Sequence, residues 1–200
     1  LPERLDVRPI VPQLGFSGGL THSSDGILYF ANHLHLGTIG RFVVGKQKSP
    51  ETFVDLTKWM TSYGDRKPRA HGMRIDHEGH LVVAEAGTGK VIRISPGAKK
   101  IEVLADSYDG TLLSPVFDVA IGREGEVFAS APSAGVIYGI RPGDGFIRIL
   151  NEELIRAHGL AISLDGTKLV AAEPDSGRVL VFDLKESRQT KSMSTFADFS

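Results

Sequence analysis

Residues 70–94, AHGMRIDHEGHLVVAEAGTGKVIRI, decide the fold. Met73 and Ile75 lead into a turn that ends at Gly79; an apolar run follows from Leu81 to Ala84, then a glycine turn at Gly87 and Gly89, then alternating residues from Val91 to Ile94. Period-two alternation, β-branched residues and tight glycine turns predict three short antiparallel strands. A fourth is expected at Lys100 to Ala105, KIEVLA, beyond Pro96 and Gly97. No part of the stretch keeps a helical period long enough to compete.

The same pattern recurs at residues 18–42 (GGLTHSSDGILYFANHLHLGTIGRF), 117–140 (FDVAIGREGEVFASAPSAGVIYGI) and 158–182 (HGLAISLDGTKLVAAEPDSGRVLVF). The glycines of the first turn, Gly26, Gly79, Gly125 and Gly166, stand 53, 46 and 41 residues apart. Four strands per repeat at such intervals are the signature of propeller blades. The expected organisation is one all-β propeller domain over residues 1–200, with blades at about 15–56, 70–106, 115–150 and 157–200. A proline-interrupted strand at Leu5 to Leu14 is suited to an edge and is expected to close a ring. Four blades alone make the tightest ring, so a six-bladed ring of which this chain supplies the first two thirds is the favoured reading. Residues 57–69 are expected as a loop after the outer strand ETFVDL, and residues 107–115 as a plain link.

Composition narrows the partners. With 23 basic and 24 acidic residues and 41% apolar content, the chain can build a core but offers no charge excess for a phosphate backbone or an anionic membrane. A small-molecule substrate is expected, with no nucleic acid and no membrane as partner. There is no run of about 18 apolar residues, and LPERLDV lacks the apolar centre of a signal peptide. The absence of cysteine excludes disulfides and thiolate metal sites, and leaves a bacterial-type cytoplasm and periplasm equally open for a soluble protein.

Two motifs that resemble catalytic loops are read as turns. GFSGG at residues 15–19 fits G-x-S-x-G, yet a strand follows it where a nucleophile elbow needs a helix. AEAGTGKV at residues 84–91 lacks the first glycine and the Ser/Thr of a phosphate loop, and it too runs into a strand. His33 and His35, two apart, share one face of an extended segment and form a candidate ligand-binding pair.

HGMRIDHEGHLVVAEA, SPVFDVAIGREGEVFASAP and HGLAISLDGTKLVAAE resemble the inner-blade segments of the SMP-30/gluconolactonase/LRE-like family of six-bladed β-propellers. The middle segment is similar to that family's Ser-Pro-Asn-Asp run. The resemblance covers nearly the whole chain and implies a metal-dependent hydrolase of the gluconolactonase type, which opens a sugar lactone or related ester with a metal-activated water. It also implies an axial divalent ion (calcium, magnesium or zinc), held by Glu, Asn and Asp side chains. Carried over by position, these ligands fall on Gly18 or Ser17, His71, Phe117 and His158, none of which is the family's residue; the Asp belongs to a blade expected beyond Ser200. His71 and His158 occupy equivalent strand starts and are the candidate metal ligands, with Ser17, His33, His35 and Phe117 as candidate substrate contacts. Glu85 and Glu173, at equivalent strand ends and expected to be partly exposed, join His158 as candidate catalytic groups. The His-Gly pairs also resemble virginiamycin B lyase-like propellers, so a metal-dependent lyase is an alternative. A non-catalytic propeller that binds a ligand or protein on its top face, through residues 57–69 and Trp59, is another.

Overall fold

Four four-stranded antiparallel sheets follow one another along the chain, each a meander in which sequence neighbours are spatial neighbours. The computed structural model describes residues 10, 17–32, 35, 37–184 and 193–199. Blade 1 contains β1 (Ser17–His22), β2 (Ile27–Asn32), β3 (Thr38–Val43) and β4 (Glu51–Asp55), and blade 2 contains β5 (Ala70–Ile75), β6 (Leu81–Glu85), β7 (Lys90–Ile94) and β8 (Ile101–Ala105). After a small hairpin of β9 (Ser107–Tyr108) and β10 (Thr111–Leu112), blade 3 contains β11 (Asp118–Ile121), β12 (Val127–Ala131), β13 (Val136–Arg141) and β14 (Phe146–Asn151). Blade 4 contains β15 (Leu160–Ile162), β16 (Lys168–Glu173), β17 (Arg178–Asp183) and β18 (Met193–Asp198). The all-β propeller reading holds, with four blades present. The expected closing strand at residues 5–14 lies outside the described residues apart from Ile10, which is not in a strand.

The repeat is anchored by one turn used four times. The amides of Gly26, Gly79, Gly125 and Gly166 donate to the carbonyls three residues earlier, at Ser23, Asp76, Gly122 and Ser163. All four glycines have φ between 71° and 85°, a region that penalises a side chain, so glycine recurs there.

β6 (LVVAE) and β12 (VFASA) are buried along their whole length, because blades 2 and 3 each have a neighbour on both faces. Strands buried on both sides read as continuous apolar runs. In β16 (KLVAAE) Leu169 and Ala171 are buried toward blade 3, and Lys168 and Ala172 alternate with them. Three buried clusters join consecutive blades. One packs Met73, Val83 and Ile92 against Ile39 and Val54; one packs Val82 and Val91 against Val119 and Ala129; one packs Phe128 and Ile137 against Leu169 and Phe182.

Two links differ from expectation. The 57–69 segment is not all loop: a 3-10 turn at Leu56–Lys58 starts it, capped by the Asp55 carboxylate on the Thr57 amide, and buries Leu56. Trp59 follows at 48% exposure. The 107–115 link carries the β9–β10 hairpin, closed through Asp109 and Gly110 at positive φ. Neither motif that resembles a catalytic loop has a helix behind it, since Ser17 opens β1 and Lys90 opens β7. No helix among the described residues is long and apolar enough to cross a membrane.

Candidate functional site

The first strand of each blade brings its starting residue toward the starts of its neighbours. Gly72 of blade 2 donates its amide to the Phe117 carbonyl of blade 3 at 2.7 Å. The Ser130 hydroxyl of blade 3 donates to the His158 carbonyl of blade 4 at 2.7 Å. His71, Phe117 and His158 therefore meet at the strand starts, with Phe117 in the middle. Its ring centroid lies 4.6 Å from that of His71 and 5.2 Å from that of His158. All three are half-buried.

A β-bulge sets up this approach. Ala70 pairs with Glu85 and Met73 with Val83, so His71 and Gly72 together oppose Ala84. A bulge frees backbone groups and re-aims side chains, which is why the Gly72 amide is available to the next blade. Gly19 occupies a similar bulge in β1, against the His71 carbonyl.

Below the rings lies a residue the sequence reading passed over. Asp118 accepts from the Leu160 amide at 2.9 Å and from Arg74 Nη2 at 3.3 Å, and the same Nη2 donates to the Leu160 carbonyl at 3.0 Å. Blades 2, 3 and 4 are thus tied together at one charged point, with the Asp118 side chain only 16% exposed. The available signal was its place directly after Phe117 in the Ser-Pro run.

Glu85 and Glu173 are not the partly exposed strand-end acids expected; both are completely buried. Glu85 Oε1 accepts from the amides of Arg69 (2.6 Å) and Gly87 (2.8 Å), and Oε2 from the amide of Thr88 (2.9 Å) and from its hydroxyl. Glu173 accepts from the Ile155 amide (2.5 Å), the Ser176 hydroxyl (2.9 Å) and Arg178 Nη2 (2.6 Å). A carboxylate leaves water at high cost unless donors replace the water, and here they do. Neither residue exposes an oxygen to solvent.

Of the remaining candidates, Ser17 pairs through its backbone with Asn32, and His33 lies outside the described residues. His35 is exposed on the β2–β3 loop, where its amide donates to Asn32 Oδ1 and its carbonyl accepts from Thr38. It is not brought to the three rings by any described contact.

The donors at the axis can be tested against the ion that the resemblance implies. Calcium and magnesium need carboxylate and carbonyl oxygens, whereas the side chains at the carried-over positions are two imidazoles and a phenyl ring. The oxygen cage does not fit; the two imidazoles are donors of the kind zinc prefers, and both would have to turn past the Phe117 ring to share one ion. Among the described residues, one group of three possible ligand atoms, from Asp76, Glu78 and His80, lies within 4.8 Å at the opposite end of β5. Arg93 already occupies it, with Nε 2.8 Å from Asp76 Oδ2 and Nη2 paired to Glu78. Burial would raise the Asp76 carboxyl, but the His80 amide, Arg93 and the Glu78 amide outweigh it and hold it below the usual carboxylate range. A depressed carboxyl stabilises the fold above its ordinary pKa and loses that contribution as pH falls through the lowered one, so this turn is tight at neutral pH.

No family model matches the sequence. A gluconolactonase from Zymomonas mobilis is 25% identical over 67% of this chain and 42% of its own length. A solved gluconolactonase from Xanthomonas campestris superposes with a TM-score of 0.75 at 18% identity, covering 92% of this chain and 63% of that one. A catalytically inactive histidine-to-alanine variant of virginiamycin B lyase from Staphylococcus aureus, solved with quinupristin, gives 0.68 at 17% identity over 92% and 56%. The chain thus spans less than half of its curated gluconolactonase relative and under two thirds of these solved structures. Sequence and fold agree: the chain is similar to the gluconolactonases and has the propeller fold that its repeats resembled.

Proposed function

We propose that the chain carries part of a lactone-opening hydrolase of the gluconolactonase type, acting on a sugar lactone or related ester at the His71–Phe117–His158 cluster. The observation that supports this reading is the pair of imidazoles, from separate blades, held on either side of one phenyl ring. His71 orients the lactone carbonyl, and Phe117 offers an apolar wall to the C–H face of the substrate ring. His158, as neutral imidazole, takes a proton from the attacking water and returns it to the departing ring oxygen, so that the lactone plus one water becomes the hydroxy acid. Both histidines are also the residues that would hold a divalent ion, which when bound would polarise the carbonyl and acidify the water; a ring that lends its lone pair to an ion is no base, so in that state the water's proton would leave to solvent and the departing ring oxygen would take one from solvent. Glu85 and Glu173 have no part in proton transfer.

The test is direct. Purified protein is expected to contain about one zinc per chain and to open an aldonolactone, with activity lost to a chelator and restored by zinc. Failure to open any aldonolactone with zinc present would sink the reading. A second reading, elimination as in a lyase, is favoured by the histidine-dependent lyase among the structural neighbours. Product mass separates the two, because hydrolysis adds one water and elimination adds none.

A further inference from the structure

We infer that Glu85 and Glu173 are positioning residues, each fixing the axial histidine of its own blade through the backbone that leads into it. The inference rests on the reading of His71 and His158 as the working groups. Neither histidine is held by ordinary strand pairing. His71 sits in the β5 bulge, and His158 precedes β15, joined to β16 by its amide on the Ala172 carbonyl. Beside the contacts of His158 with Ala172 and Ser130 and of Gly72 with Phe117, their aim depends on the segments just before them. The carboxylates grip those segments: Glu85 takes the amide of Arg69, two residues before His71, and Glu173 takes the amide of Ile155, three residues before His158.

Comparison of the blades separates this role from a general feature of the repeat. The last residue of the second strand is Glu85 in blade 2 and Glu173 in blade 4, paired with the first residues of the third strands, Lys90 and Arg178. In blade 3 the equivalent residue, opposite Val136, is Ala131. That blade presents Phe117, not a histidine, and Pro115 stiffens its lead-in without help. Blade 1, which presents Gly18, has Asn32 there. The buried acid thus occurs in the two blades that present an imidazole. Both carboxylates also gather the loop on the far side of the strand, through Gly87 and Thr88 or through Ser176 and Arg178, so each joins its strand end to two neighbouring segments.

The experiment uses Glu85→Gln and Glu173→Gln in the whole chain, since glutamine keeps the shape but turns one acceptor into a donor that faces N–H groups. The ring C–H resonances of His71 and His158, assigned by their loss in the alanine variants, are recorded at one fixed pH. Glu85→Gln is expected to shift and broaden His71 while leaving His158 unchanged, and Glu173→Gln to do the reverse. Zinc affinity should fall about tenfold in each, as for groups that orient a ligand without touching the ion. Should either glutamine variant fail to fold, the aspartate variant, which keeps the charge and withdraws it by one methylene, is measured in its place with the same expectation. Unchanged rings, or both rings moving together in either variant, would overturn the inference, because general loosening does not choose between blades. Absence of lactone opening in the parent would remove the functional reading and leave the ring measurement to decide this one.

Discussion

Replacing His71 and His158 together by alanine is expected to strip the axis of its ion and lower lactone opening at least about a hundredfold, equivalent to some 2.7 kcal/mol of barrier. The two rings are the nitrogen donors at the carried-over positions, and Phe117 between them cannot ligate. Each single variant leaves one donor, so the pair should behave as a unit, with the second substitution costing much less than the first. The fold should survive, since both side chains are half-buried and make no part of the three apolar clusters. Metal analysis beside a thermal melt checks this. Retention of the ion by a folded double variant would move the site, with His33 and His35 next in line.

Gly19→Ala should be the most destabilising single methyl in the inner strands. A Cβ there would lie 1.8 Å from the His71 carbonyl oxygen and 2.7 Å from its carbon, both backbone atoms, and Gly19 has φ of +51°. Left-handed backbone costs a side chain roughly 1–2 kcal/mol, and overpacking a further ~1–3 kcal/mol. A loss of about 2–5 kcal/mol is expected, a large share of a domain's stability. Blade 1 would be pushed away from the strand that carries His71, so the loss should be accompanied by weaker ion binding. Gly97→Ala meets only the flexible Lys99 side chain at 3.7 Å and has no positive φ, so it should stay within about 0.5 kcal/mol. Similar denaturant midpoints for the two variants would contradict the close approach at the axis.

The architecture was legible because it is written four times. Turn glycines, apolar runs and β-branched alternation repeat, and each copy corrects the reading of the others. Most of the site's geometry was not, because it depends on contacts between blades. The equivalence of His71, Phe117 and His158 follows from alignment of the repeats, but that their rings touch depends on a bulge at His71 and Gly72 with no sequence mark beyond one glycine. Glu85 and Glu173 look the same in sequence whether they face water or a ring of amides; burial decides, and it is set by loops that fold back on them. Asp118 was hidden for a similar reason, since its partners Arg74 and Leu160 belong to other blades.

The charged point at Asp118 has a consequence for motion. Its carboxylate accepts from Arg74 of blade 2 and from the Leu160 amide of blade 4, so the three blades that present His71, Phe117 and His158 share one fastening. In a linear array, the free energy of opening a unit is set by its own stability plus the interfaces it must break. Asp118→Asn removes the ion pair with Arg74 from both of those interfaces at once. Amide deuteration should therefore speed up at the starts of β5, β11 and β15 together, while β6 and β12, buried along their whole length, still exchange last.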